Sequence, residues 1–159
     1  MKKLSIVFLC AIFATFTSCE KDSENTTSKK ELISSGSWKF VGMEFDPPQL
    51  IEIVQNGITT EILTSDLYSI SQECAIDDIL FFNSDETLLR ESNLICGPED
   101  QTINGSWNFN EDKTQIIMEE SGNQHEMTID RLTETNLDLS ILFEGSGYSY
   151  TFSWLLEKK

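Results

Sequence analysis

The sequence predicts an all-β chain: an antiparallel up-and-down meander closed into an eight-to-ten-stranded barrel, preceded by a short N-terminal helical turn. Three observations carry this. Residues 148–154 alternate strictly, with Tyr148, Tyr150, Phe152 and Trp154 on one face and Ser149, Thr151 and Ser153 on the other. Asn56-Gly57 stands between two β-rich runs, and both residues of such a turn must tolerate positive φ. Turn residues then recur at short intervals with no long helical period, which favours a meander over a Greek key. An open meander of this length exposes two edges, and closure removes them. About eight strands give a barrel whose interior either fills with side chains or holds one small ligand.

The elements follow in order. Ser28 to Ser34 reads as a helical turn, with Ser28 as cap and Glu31 at the third helical position. Gly36 to Phe45 alternates as a strand, Trp38 and Phe40 on one face, and Asp46-Pro47-Pro48 is expected to stop it. Leu50–Val54 and Ile58–Leu63 form the hairpin about Asn56-Gly57. Residues 65–78 have no clean period and read as a short helix or irregular crossing that presents Cys74. Strands are expected at Ile79–Asn83, Thr87–Ile95, Thr102–Asn110, Thr114–Glu120, Gln124–Leu132 and Asn136–Phe143, before the last strand from Tyr148.

The N-terminus is an address. Lys2 and Lys3 precede an apolar stretch from Leu4 to Phe16, too short for the roughly 20 residues a spanning helix needs. It fits the hydrophobic region of a secretory signal. Thr17-Ser18-Cys19 then resembles the lipobox of bacterial lipoprotein signals, in which the cysteine is acylated and becomes the first residue, although Phe16 stands where Leu is usual. The alternative, an ordinary cleaved signal, leaves a free exposed thiol on an exported protein. The expected organisation is a signal peptide over 1–18, a flexible tether over 19–30 and a barrel domain over 31–159. The acidic residues after Cys19 also resemble the surface-export signal of Bacteroidetes lipoproteins. The expected place is the bacterial cell envelope: anchored to the outer membrane through the lipid alone, facing the periplasm or the cell surface.

Cysteine use follows from that address. Cys10 leaves with the signal and Cys19 takes the lipid. Cys74 and Cys96 remain in an oxidising compartment as the possible disulfide pair, worth about 3 kcal/mol in the chain-entropy model.

Composition excludes several functions. The chain has 159 residues, 27 Asp and Glu, 11 Lys and Arg, and a formal charge of −16. Such a chain is a poor nucleic-acid binder, and removal of the signal makes it more acidic still. One histidine and no Cys-x-x-Cys argue against zinc. Oxygen-rich turns at Asn83–Glu86 and Asn110–Asp112 lack the spacing of a calcium loop. There is no Gly-x-Ser-x-Gly, and the adjacent carboxylate pairs fall in turns or on opposite strand faces, so no catalytic residue, metal or cofactor is assigned. His125 is expected on the solvent face of its strand.

Gly36-Ser37-Trp38 opening the first strand of an antiparallel meander resembles the lipocalins and other calycins. The closer resemblance is to the lipocalin-like lipoproteins of Bacteroidetes. They share a signal ending in cysteine, the early Gly-Ser-Trp, a cysteine before an Asp-Asp pair (here Cys74 to Asp78), a second cysteine, and a second Gly-Ser-Trp (here Gly105-Ser106-Trp107). The likeness covers most of residues 31–156 and implies a barrel of eight or more strands with a lumen for an apolar ligand. Two features depart from it. Lipocalins commonly set an Arg near the end of the barrel against the first-strand Trp, whereas here Lys158 is the nearest cation. The long C-terminal helix of typical lipocalins is likewise not expected in the residues after the last strand.

Trp38, Phe40, Trp107, Phe109, Tyr148, Tyr150, Phe152 and Trp154 form the candidate aromatic interior. These residues either pack as core or line a wall for a small apolar ligand. A non-catalytic binding protein is expected; the alternative is a solid barrel that meets an envelope protein partner or serves as a structural module.

Overall fold

A computed structural model describes residues 27–55, 57–94, 102–145 and 147–159. The expected signal peptide, Cys19 with its expected lipid, most of the expected tether, and Cys96 lie outside the described residues.

The chain begins with α1 (Lys29–Ser34), whose N-terminus is a capping box. The Ser28 hydroxyl accepts from the Glu31 N–H at 3.2 Å, and the Glu31 carboxylate accepts from the Ser28 N–H at 2.7 Å. Nine strands follow: β1 (Ser37–Gln55), β2 (Ile58–Asp66), β3 (Ile79–Phe82), β4 (Thr87–Glu91), β5 (Ile103–Phe109), β6 (Gln115–Glu120), β7 (Asn123–Leu132), β8 (Asn136–Gly145) and β9 (Tyr148–Lys158). All pairings are antiparallel. β1 pairs with β3 on one side and β9 on the other, so eight strands close a ring while β2 lies outside it. The predicted all-β, antiparallel closed barrel is therefore the observed architecture.

The end of the first strand differs from expectation. The prolines do not end the first strand, because β1 runs through them to Gln55. Its ladder to β9 ends at Asp46 and its main ladder to β2 resumes at Gln49. Pro47 and Pro48 fall between the two ladders, where a missing N–H leaves no bond unmade. Beyond them β1 and β2 form a two-stranded ribbon, with Gln55 opposite Ile58 and Gly57 at φ +77°. The chain returns through a 3₁₀ turn at Tyr68–Ile70 and the short α2 (Glu73–Ile76), which carries Cys74. β4 ends at Glu91, short of the expected Ile95, which lies outside the described residues.

The two barrel ends differ. At one end α1 covers the opening: Ile33 is fully buried, and its carbonyl accepts from the Trp38 indole N–H at 2.8 Å. Two hairpin turns at this end are built alike. In Asn83-Ser84-Asp85-Glu86-Thr87 and in Asn110-Glu111-Asp112-Lys113-Thr114, the aspartate accepts from the threonine hydroxyl (2.7 and 2.6 Å) and from its N–H (3.1 and 3.2 Å). The fourth residue takes positive φ in each (Glu86 71°, Lys113 57°). Above this end, Trp38, Leu80, Phe82, Leu88, Trp107, Ile116, Leu137, Leu139 and Leu156 fill the barrel.

Candidate ligand cavity at the open end

The other end of the barrel is open. A cavity of 320 Å³, open at the mouth, lies above the core. Met118, Met127, Ile141, Phe143, Phe152 and Trp154 supply its apolar wall, and Arg90, Glu120, Ser121, Asn123 and His125 its polar part. Strand registry explains which residues face inward. Ile141 lies opposite Phe152 and Phe143 opposite Tyr150, so β8 and β9 turn the same face to the lumen. On β6 and β7, Met118 lies opposite His125 and Ile116 opposite Met127.

The eight candidate aromatics divide into three groups. Trp38, Phe40 and Trp107 are buried core and Phe109 packs against them. Both tryptophan indoles are satisfied by main chain: Trp38 by the Ile33 carbonyl, and Trp107 by the Asn83 carbonyl at 2.9 Å. Neither needs a ligand to satisfy its N–H. Phe152 and Trp154 line the cavity. Tyr150 and the exposed Tyr148 continue the same face toward the rim, where Tyr150 stacks on Phe143 at 5.1 Å and meets Phe45 edge-on at 5.6 Å. Phe45 also contacts Phe152, and Trp154 meets Phe40 edge-on at 5.3 Å. One aromatic series thus runs from the rim to the core.

His125 faces the lumen, not the outside. It stands two residues from the buried Met127 and so shares its face. That signal was present in the alternation of β7. Arg90 shares a face with buried Leu88 in the same way. Its guanidinium lies between two carboxylates: Nε is 3.7 Å from Asp78 Oδ2, and an Nη is 3.4 Å from Glu120 Oε2. Ser92 Oγ donates to the other Asp78 oxygen at 2.5 Å. Arg90 Nε is buried and makes no hydrogen bond.

Among the described residues, no group of three or more His, Cys, Asp or Glu is disposed to hold a metal ion. The arrangement suits recognition by shape and apolar contact at the floor, with polar groups confined to one side and the rim. No protein-family model and no curated protein matches the chain.

Proposed function

We propose that this chain is a cell-envelope lipoprotein, acylated at Cys19 and stapled by a Cys74–Cys96 disulfide, whose lipocalin-like barrel binds a small, largely apolar molecule without catalysis. The observation that carries the binding reading is the 320 Å³ cavity at the mouth, with Met118, Met127, Ile141, Phe152 and Trp154 around it. That volume lies within the range of about 300–1,000 Å³ usual for ligand pockets. The lipocalin likeness draws further support from Lys158, whose ammonium stands 5.2 Å from the Trp38 ring centre, where the resemblance puts an Arg. The anchor rests on the signal and lipobox alone. Native mass spectrometry of the protein taken from its own host tests the binding role. A small molecule that co-purifies and is displaced on unfolding supports it; a consistently bare chain removes it.

A second reading has its own observation. The β1–β2 ribbon exposes Leu50, Val54, Ile58 and Leu63, each at least 60% accessible. From Glu44 to Asp66 the chain carries five acids and no Lys or Arg. Such a surface suits a protein partner in the envelope. If this reading holds, Leu50→Ser with Leu63→Ser dissolves a stable envelope complex seen on native gels. An unchanged complex, or none in the parent, removes it.

A further inference from the structure

We infer that the mouth cavity selects a ligand with a positive charge on an apolar or aromatic body, and discriminates against carboxylates. This rests on the reading of the cavity as a ligand site and adds the class of ligand. Arg90 is the one Lys or Arg among the lining residues, and two carboxylates already stand against it. It is flanked by Asp78 at 3.7 Å and by Glu120 at 3.4 Å, with the three side chains only 28%, 14% and 16% exposed. Two carboxylates against one guanidinium leave this cluster net negative, with Glu120 on the cavity wall and Asp78 behind Arg90. Because the groups are largely withdrawn from water, that charge is less screened than it would be on the surface. The aromatic side of the cavity is formed by Phe143, Phe152 and Trp154, and a cation placed over such a ring is attracted where an anion is repelled. The formal charge of −16 adds a long-range field of the same sign. A carboxylate entering the cavity meets no unpaired Lys or Arg. An ammonium group meets the Glu120 carboxylate and a lining of aromatic rings.

Three soluble probes of one shape test this: 3-phenylpropylammonium, 3-phenylpropanol and 3-phenylpropanoate, each titrated calorimetrically into the full chain at mildly alkaline pH. The ammonium probe is expected to bind at least about tenfold tighter than the carboxylate, with the alcohol between them. Glu120→Gln is expected to shrink that preference, read as the ratio of ammonium to carboxylate affinity. Carboxylate binding as tight as that of the ammonium overturns the inference and leaves the cavity reading standing. Absence of binding by all three overturns the cavity reading and the inference with it. An undiminished preference in the Glu120→Gln protein overturns the assignment of Glu120 as the counter-charge.

Discussion

The ammonium of Lys158 sits 5.2 Å from the centre of the Trp38 ring and donates to the Ser35 hydroxyl at 2.6 Å. It also reaches the Leu32 carbonyl at 3.4 Å. One side chain from the last strand thereby contacts both the first tryptophan and the C-terminal end of α1, where helix carbonyls favour a cation. Lys158→Met keeps the apolar stem and removes these contacts. It is expected to lower the unfolding free energy by about 1–2 kcal/mol in denaturant titration. Lys158→Arg is expected to retain most of the stability, and a Met variant as stable as the parent contradicts the account.

The paired turns at the closed end predict an acid response. The Thr87 hydroxyl, and then its N–H, hold the Asp85 carboxyl below its ordinary value, and Thr114 does the same for Asp112. A lowered carboxyl contributes stability that is complete above the unfolded value and is lost as pH falls through the folded one. Asp85→Asn with Asp112→Asn is therefore expected to lower Tm at neutral pH. The gap to the parent should close as pH drops below about 3.9. A gap that does not vary with pH contradicts this assignment.

Trp107 and Trp154 separate packing from binding. Trp107 is 1% exposed and bonded to the Asn83 carbonyl, so Trp107→Phe is expected to cost about 1–3 kcal/mol of stability and to leave ligand affinity unchanged. Trp154 lines the cavity, so Trp154→Ala is expected to alter ligand affinity more than any change at Trp107. Parallel denaturation and calorimetry on the two variants check both halves.

Gly105 has no room for a side chain. A β-carbon there would collide with the carbonyl oxygen of Glu119, a backbone atom that cannot swing aside. Gly105→Ala is expected to destabilise by about 1–3 kcal/mol, read by thermal melting. An unchanged Tm contradicts the close approach of β5 and β6.

Much of the fold was legible because its signals are local. The Ser28 cap, the Asn-Gly hairpin and the alternation of β9 each depend on residues within one or two turns of each other. The passage of β1 through Pro47 and Pro48 was not legible, since it depends on the β9 ladder ending at Asp46 and the β2 ladder breaking between Glu44 and Gln49. The site was legible only in part. Phe152 and Trp154 line the cavity, but Trp38 and Trp107 look the same in sequence and are core, since only the fold reveals which layer of the barrel is filled. His125 and Arg90 stand on faces that the alternation with Met127 and Leu88 marks as inward. A polar residue at such a position reads as a solvent-facing break until the mouth of the barrel is located.

The most direct test of the central claim, that the barrel mouth is a binding cavity, uses its methionines. In a chain labelled at the methionine methyl carbons and titrated with neutral 3-phenylpropanol, the signals of Met118 and Met127, which line the cavity, are predicted to shift saturably and together. Met43, buried but not among the lining residues, is predicted to shift far less. Met118 and Met127 signals that stay unmoved at saturating probe contradict the account.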